Sequence, residues 1–411
     1  MLTGRKYRLA FAPEQAEFAQ TIGDVCRSVW NTALEQRREY CRRGAWINYR
    51  QQAGELADAK NEHEWLKAAP SHVLQQTLMD LDRACRERGT KRIRWRSKSR
   101  WSPSFRFPDP KQVTVQRLGK KWGQVKLPKF GWVRFRWSRP LDGHVRSVTV
   151  SRDGQAWFVS FLVDDGRITP TQHVSSEALG VDRGVTVAVA CSDGTMRNRE
   201  VQTPGERQRY LKLQKRLARR TRGSANWKKT IVGMNRIKRQ ERDRRRDFVS
   251  WTANRIATSH CTVVLEDLKI RNMTRSARGS LAEPGVRVAQ KAGLNRFILS
   301  KGWHQLELAL LNVARYTGCR IVKVPAAYTS QRCSACRAVD PKSRKSQAVF
   351  LCTTCGYQVN ADVNAAKNVL ADGLSVSACG DLGVARSTKQ EPARNREAVP
   401  HRPPLVGIPR S

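Results

Sequence analysis

Hydrophobic residues recur along this chain with two different periods, and the changes of period mark its parts. In TGRKYRLAF, Tyr7, Leu9 and Phe11 alternate with Arg8 and Ala10, which predicts a half-buried first strand. From Pro13 the spacing lengthens to three and four residues through Phe18, Ile22, Val25, Val29 and Ala33 until Gly44, the pattern of a helix with proline in its first turn. A second helical pattern over residues 71–86 buries Leu74, Leu78, Leu81 and Cys85. From residue 112 the period returns to two in QVTVQRL, GQVKLP, WVRFRW, VRSVTV and AWFVSFLV, with Asp153-Gly154 as a hairpin turn between the last two. These strands, joined to the first one, predict a small β-barrel interrupted by a helical insertion. Its WVRFRW strand sets Trp132, Arg134 and Arg136 on the side opposite Val133, Phe135 and Trp137. Such a face suits phosphates and stacked bases, and equally an ordinary solvated surface.

At residue 179 the pattern changes again. LGVDRGVTVAVACSDG reads as an apolar strand with Asp182 in its middle, where an unpaired carboxylate requires a cation or a hydrogen-bond partner. A second apolar strand, CTVVLEDLKI, carries Glu266 and Asp267 on opposite faces, so only one of them can join Asp182. Between these strands a helical pattern through Tyr210, Leu213 and Leu217 breaks near Gly223 and resumes through Trp227, Ile231 and Met234, as two long helices forming a hairpin would. A helix from Trp303 to Leu311 and a strand RIVKVP follow. Beyond about residue 374 large apolar residues thin out while Pro and Arg accumulate, which predicts a disordered tail.

Charge narrows the partner. The 411 residues include 77 Lys and Arg against 35 Asp and Glu, a formal net charge of +42, which suits a polyanion. Residues 207–246 alone hold seventeen Lys or Arg in forty positions, including Arg216, Arg219, Arg220 and Lys228, so the hairpin reads as a phosphate-tracking surface. No long apolar run or signal pattern appears, which argues against a membrane partner and predicts a cytoplasmic protein.

Residues 328–370 combine the clearest chemistry. Cys333 and Cys336 form one C-x-x-C, Cys352 and Cys355 another, and two such knuckles separated by a short basic hairpin set four thiolates about one Zn²⁺. The other seven cysteines, at 26, 41, 85, 191, 261, 319 and 379, show no framework spacing and are expected to be reduced. Asp362 follows at the start of a helix carrying Ala365, Ala366, Val369 and Leu370, where on local grounds alone it reads as a helix cap.

An acid in GVDRG, a Glu closing VVLED, the double C-x-x-C and an Asp before NAA, in this order, resemble the RuvC-like core of the transposon-encoded TnpB proteins and of compact type V CRISPR effectors. KLPKFGWVRFR and VTVSRDGQAWFVSF resemble that family's wedge barrel, and VLQQTLMDLDRA a helix of its recognition lobe. The resemblance implies an α/β multidomain protein: a wedge barrel over 1–12 and 101–176, a helical recognition lobe over 13–100, an RNase H-like core over 177–327 with the basic hairpin at 207–260, a zinc ribbon over 328–359, the end of the core at 360–373 and a tail over 374–411. It also implies an RNA-guided DNA endonuclease, a monomer with one guide RNA from a transposon end or CRISPR array, cutting target DNA beside a short flanking motif. Asp182, Glu266 and Asp362 would be the catalytic acids, suited to two Mg²⁺ ions. Tyr49 and Gln75 stand where motif-contacting residues fall in the family. The chain departs from the family at Asn360-Ala361, where many members carry an Arg before the third Asp. A cleavage-deficient guided DNA-binding regulator and a strand-transferring transposase are the alternative readings.

Overall fold

The computed structural model describes residues 1–280 and 282–378. In chain order the elements are β1 (Leu2–Ala10), α1 (Pro13–Arg42), α2 (Tyr49–Glu62), α3 (Glu64–Lys67), α4 (Ser71–Arg88), β2 (Ser104–Phe107), β3 (Thr114–Arg117), β4 (Trp122–Leu127), β5 (Gly131–Arg136), β6 (His144–Asp153) and β7 (Ala156–Asp164). There follow β8 (Ala178–Asp182), β9 (Val189–Cys191), β10 (Met196–Arg197), α5 (Pro204–Ala218), α6 (Ala225–Ser259), β11 (Thr262–Glu266), α7 (Ile270–Met273), α8 (Val288–Lys301), α9 (Trp303–Thr317) and β12 (Arg320–Val324). The chain closes with β13 (Val349–Leu351), β14 (Gln358–Asn360) and α10 (Ala361–Ala378). None of the helices among the described residues is long and apolar enough to cross a membrane.

The alternating segments build one antiparallel sheet in the order β2-β6-β7-β1-β5-β4-β3. β1 is shared: residues 2–8 pair with β7, then Leu9 and Ala10 turn to β5. Tyr7, Val133, Phe135, Val159 and Phe161 are buried in a core continuous with Ile22, Leu34, Leu74 and Leu78 of the helices. No pairing joins β2 to β3, so the hydrogen bonds leave this strongly bent sheet open, with α1 and α4 packed at the β2 edge. Two elements had weak signals. β2 is only four residues long, and α2 announces itself chiefly by a capping box, in which the Asn48 side chain accepts from the Gln51 amide and the Gln51 side chain accepts from the Asn48 amide.

The second sheet runs β10-β9-β8-β11-β12, with β8, β11 and β12 mutually parallel and β9 antiparallel to β8. Val181, Val189, Val263 and Leu265 face Phe248, Val249 and Ile256 of α6 and Leu306 and Leu310 of α9. On the other face Val264 and Val324 meet Val369 of α10. That helix lies close because the strand carries glycine: a Cβ on Gly180 would come 2.1 Å from the Ala366 carbonyl oxygen.

Two expectations change here. Asp182 is the last residue of β8 rather than the middle of a longer strand, because the chain turns tightly at Gly184, where a Cβ would meet the Val187 carbonyl at 2.6 Å. The final helix continues to Ala378, past the expected boundary at 373, since Gly373 lets it stay on the sheet against Val264. The expected disordered tail beyond that helix lies outside the described residues. The basic hairpin forms as expected from α5 and α6, joined through Gly223 at φ +89° and capped by Thr203 and Ser224. α8 escaped notice because its apolar residues are scattered around the helix and only Ile298 is buried.

Candidate active site and metal centre

Asp182 and Glu266 end two adjacent parallel strands. The register pairs Val181 with Leu265, so the next residues, the two acids, stand side by side on the face that meets α10. Asp362 lies in the first turn of α10, on the same side of the sheet. Its local reading as a cap is replaced by a different residue: the Asn360 side-chain oxygen accepts from the amides of Asp362 at 2.9 Å and Val363 at 3.2 Å, which leaves the Asp362 carboxylate free of the helix end. Asn360 thus fills a structural role at the point where the sequence departs from the pattern it resembles. Asp267 turns to the opposite face, pairing with Lys269 and lying 4.0 Å from Lys323.

The acids are short of counter-charge. Glu266 and Asp362 are 6% and 8% exposed, and the guanidinium nearest to Asp362 is Arg344 at 3.5 Å, reaching in from the loop between the cysteine pairs. Buried Arg183 donates to the main-chain carbonyl of Glu266 and pairs with Glu307 at 3.4 Å, so its charge is felt by Asp182 and Glu266 but forms no ion pair with either. Burial, then the neighbouring Glu266 and Asp362, raises the Asp182 carboxyl to about 8, so that it holds a proton at neutral pH. Asp362 is raised as well, chiefly by burial.

A folded-state value above the unfolded one means that the folded protein binds a proton which the unfolded chain releases. In magnesium-free buffer, stability is therefore full below the unfolded value of about 3.9 and is lost as pH rises through about 8. The expected thermal midpoint falls from pH 5 to pH 9, and Asp182→Asn flattens that slope. An equal slope in the variant would show that this carboxyl is not its source.

The two cysteine pairs are near copies of one turn. In the first, the Cys333 amide donates to Ala338 O and Arg337 takes φ +68°; in the second, the Cys352 amide donates to Tyr357 O and Gly356 takes φ +74°. Hydrogen bonding from the Cys355 amide holds the Cys352 thiol down, to about 6. All four sulfurs lie within 4.8 Å of one another, with Cys333–Cys355 at 3.8 Å and Cys336–Cys352 at 3.6 Å. A tetrahedron with Zn–S bonds of about 2.3 Å has edges of about 3.8 Å, so the sulfurs already stand at zinc spacing. Among the described residues, this quartet is the one group of three or more Cys, His, Asp or Glu drawn that close, and the three carboxylates spread more widely.

What binds this module to the acids went unread in the sequence. Asn364, Asn368 and Asp372 form a polar stripe at i, i+4 and i+8 on α10. Asn364 accepts from the Ser334 amide and donates to Arg332 O, Asn368 donates to Thr329 O and Arg332 O, and Asp372 takes both ends of the Arg332 guanidinium at 2.6 and 3.1 Å. The signal was present as N-x-x-x-N-x-x-x-D on an otherwise apolar helix, since fully buried amides require partners.

The expected nucleic-acid residues are dispersed. Arg134 and Arg136 are exposed on β5, with Arg136 5.4 Å over the Trp122 ring. Arg216, Arg219 and Lys228 are exposed on the hairpin, whereas Arg220 is spent inside it, donating to Asn226 O and to Thr230 Oγ1. Tyr49 is half-buried against the first core at the start of α2, and Gln75 is half-buried on α4. None of these joins the acid cluster.

Taken together, a mixed α/β fold with acids at the ends of parallel strands, a four-cysteine metal module beside them and a strongly basic surface define a metal-suited, nucleic-acid-oriented protein. Three family descriptions match: a Cas12f1-like TNB domain over 303–369, a "Probable transposase" over 149–277 and a helix-turn-helix domain over 1–45. The last stretch is here a strand and one 30-residue helix. Over 400 residues the chain is 36% identical to a protein of Escherichia coli (strain K12) named "Putative RNA-guided DNA endonuclease InsQ", covering 96% of this chain and 98% of that one. It is 33% identical to a "Putative RNA-guided DNA endonuclease" of Streptomyces pristinaespiralis, covering 98% of each. The fold is similar to that of Cas12f1 in a complex with single-guide RNA and target DNA, with TM-score 0.55 and 14% identity over 88% of this chain and 83% of that one. The chain belongs to the TnpB family.

Proposed function

We propose that the chain is an RNA-guided DNA endonuclease whose cleavage centre is Asp182, Glu266 and Asp362, set on an RNase H-like, RuvC-type core. The observation that carries this reading is the meeting, on one face of one sheet, of three carboxylates from distant parts of the sequence, among which only Asp362 makes an ion pair, with Arg344, within the described residues. Such a donor set fits divalent cations of the Mg²⁺ type, which take carboxylate oxygens. Three carboxylates offer enough oxygen donors for a pair of such ions, which two-metal centres set about 3.5–4 Å apart. When bound, Mg²⁺ supplies activation of a water and stabilisation of the leaving 3′ oxygen of a phosphodiester.

The chain's own contribution is position and charge. Asp182 and Glu266 end strands fixed by the parallel ladder, and Asp362 is released from capping by Asn360 to face them. The bent sheet with its helices (1–164), the basic hairpin of α5 and α6, and the zinc ribbon divide the remaining work. The exposed Arg and Lys of the hairpin and of β5 suit the backbone of an RNA–DNA hybrid, leaving sequence to base pairing. Tyr49 and Gln75, on α2 and α4, remain the proposed readers of the flanking motif.

Sequencing the RNA that co-purifies tests the guided part. One defined RNA species is expected, and with it the protein should cut a matched supercoiled plasmid in Mg²⁺ without joining ends. Its RNA affinity should fall steeply with salt, with a shallower slope after Arg216, Arg219 and Lys228 are replaced by Gln. Joined ends would favour a transposase. Guided binding with no cutting would favour a regulator, and only random, weakly held RNA would sink the guided reading.

A further inference from the structure

We infer that Thr329 is a positioning residue for Glu266, through which the zinc module and the helix of Asp362 set the geometry of the acid centre. The inference rests on the proposed role of Glu266. Thr329 follows the exposed turn residue Tyr328, itself at φ +61°, and precedes the first zinc knuckle, yet its side chain is turned inward and is 2% exposed. Its hydroxyl donates to Glu266 Oε1 at 2.7 Å. The Ala326 carbonyl is a more distant acceptor at 3.3 Å, so the single hydroxyl proton goes to the carboxylate, where a charge-assisted bond is stronger.

The need for such a bond follows from the side chain. The strand fixes the Cα of Glu266, but the last torsion of glutamate is broad and twofold, so the ladder alone leaves the plane of the carboxylate loose. A threonine is suited to hold it, because its branched Cβ restricts the hydroxyl to few directions. Arg183 controls the backbone of the same residue by donating to its carbonyl, and makes no hydrogen bond to its carboxylate. Thr329 is in turn held from α10. Asn368, fully buried, donates to Thr329 O at 2.9 Å and to Arg332 O at 2.6 Å, one residue before the zinc ligand Cys333. The path therefore runs from the helix that carries Asp362, through Asn368 and Thr329, to Glu266, so that two acids on separate elements share one frame.

The test uses the full chain with its guide RNA and compares Thr329→Val, which keeps the shape and removes the hydroxyl, with Thr329→Ser, which keeps the hydroxyl. Mn²⁺ binding is read by paramagnetic resonance beside Mg²⁺-dependent cutting, zinc content and guided target binding. Thr329→Val is expected to weaken Mn²⁺ binding by about 10–100-fold, the usual effect of losing a partner of a metal ligand, with zinc content and target binding unchanged. Thr329→Ser is expected to stay within about threefold of the parent. Unchanged Mn²⁺ affinity in Thr329→Val, or equal losses in both variants, would overturn the inference. So would loss of zinc or of target binding in Thr329→Val, which would assign the residue to the folding of the module. Glu266→Gln separates the two levels: if it still cuts, the proposed function fails; if it is inactive while Thr329→Val matches the parent, only this inference fails.

Discussion

Asp182→Asn is expected to abolish cutting while guided binding to the target survives. Affinity in a guided enzyme comes from base pairing and from basic surfaces, and Asp182 belongs to neither: it is half-buried at the end of β8, beside Glu266 and the helix of Asp362. Removing one of the three acids would cost the proposed centre a metal ligand, and a loss of ~4 kcal/mol of barrier lowering corresponds to roughly a thousandfold in rate. Folding should not suffer, since three clustered carboxylates repel one another without cations and an amide relieves part of that. Asp267→Asn is the control, because its carboxylate faces Lys269 and Lys323 on the other side of the strand, and near-parental cutting is expected. Plasmid cleavage measured beside target binding with the same guide decides the matter. Substantial cutting by Asp182→Asn, or loss of cutting only through loss of binding, would refute the role, and dependence on Asp267 in place of Glu266 would transfer it.

The second large effect is expected from Cys352→Ser. The four-cysteine module has a small core of its own, Phe350 with Cys333, Cys352 and Ala361, and a two-stranded sheet of three-residue strands. So little buried apolar surface does not stabilise 30 residues, whereas a structural zinc contributes on the order of 10 kcal/mol of folding free energy. Losing one thiolate should release the metal, expose residues 328–360 to limited proteolysis and end cutting, because Thr329 and Arg344, the neighbours of Glu266 and Asp362, belong to this segment. The bent sheet lies outside this module, and its thermal transition should persist. Full zinc content with full cleavage in the variant would overturn the assignment of the ligands.

Much of this protein was legible in its sequence wherever the determinant is local. Period two in residues 112–164 and period three to four in residues 13–42 gave sheet and helix, because one buried face imposes its repeat on the chain. The C-x-x-C pairs gave the metal module, because each knuckle is a closed turn whose sulfurs point one way whatever surrounds it. Strand alternation alone separated Glu266 from Asp267. Tertiary structure decided the rest, for the reason that packing brings together residues that have no local relation. That Asp182 ends its strand follows from the tight turn at Gly184, and that Asn360 caps α10 while Asp362 stays free depends on how the hairpin of β13 and β14 delivers the chain to the helix. Asn364, Asn368 and Asp372 look like solvated polar positions until the first knuckle is laid against them. A threonine among surface-like residues becomes the partner of Glu266 only when the module before α10 folds back over β11, because a hydrogen bond between residues 63 apart in sequence is specified by the folded geometry and by nothing within reach of either residue.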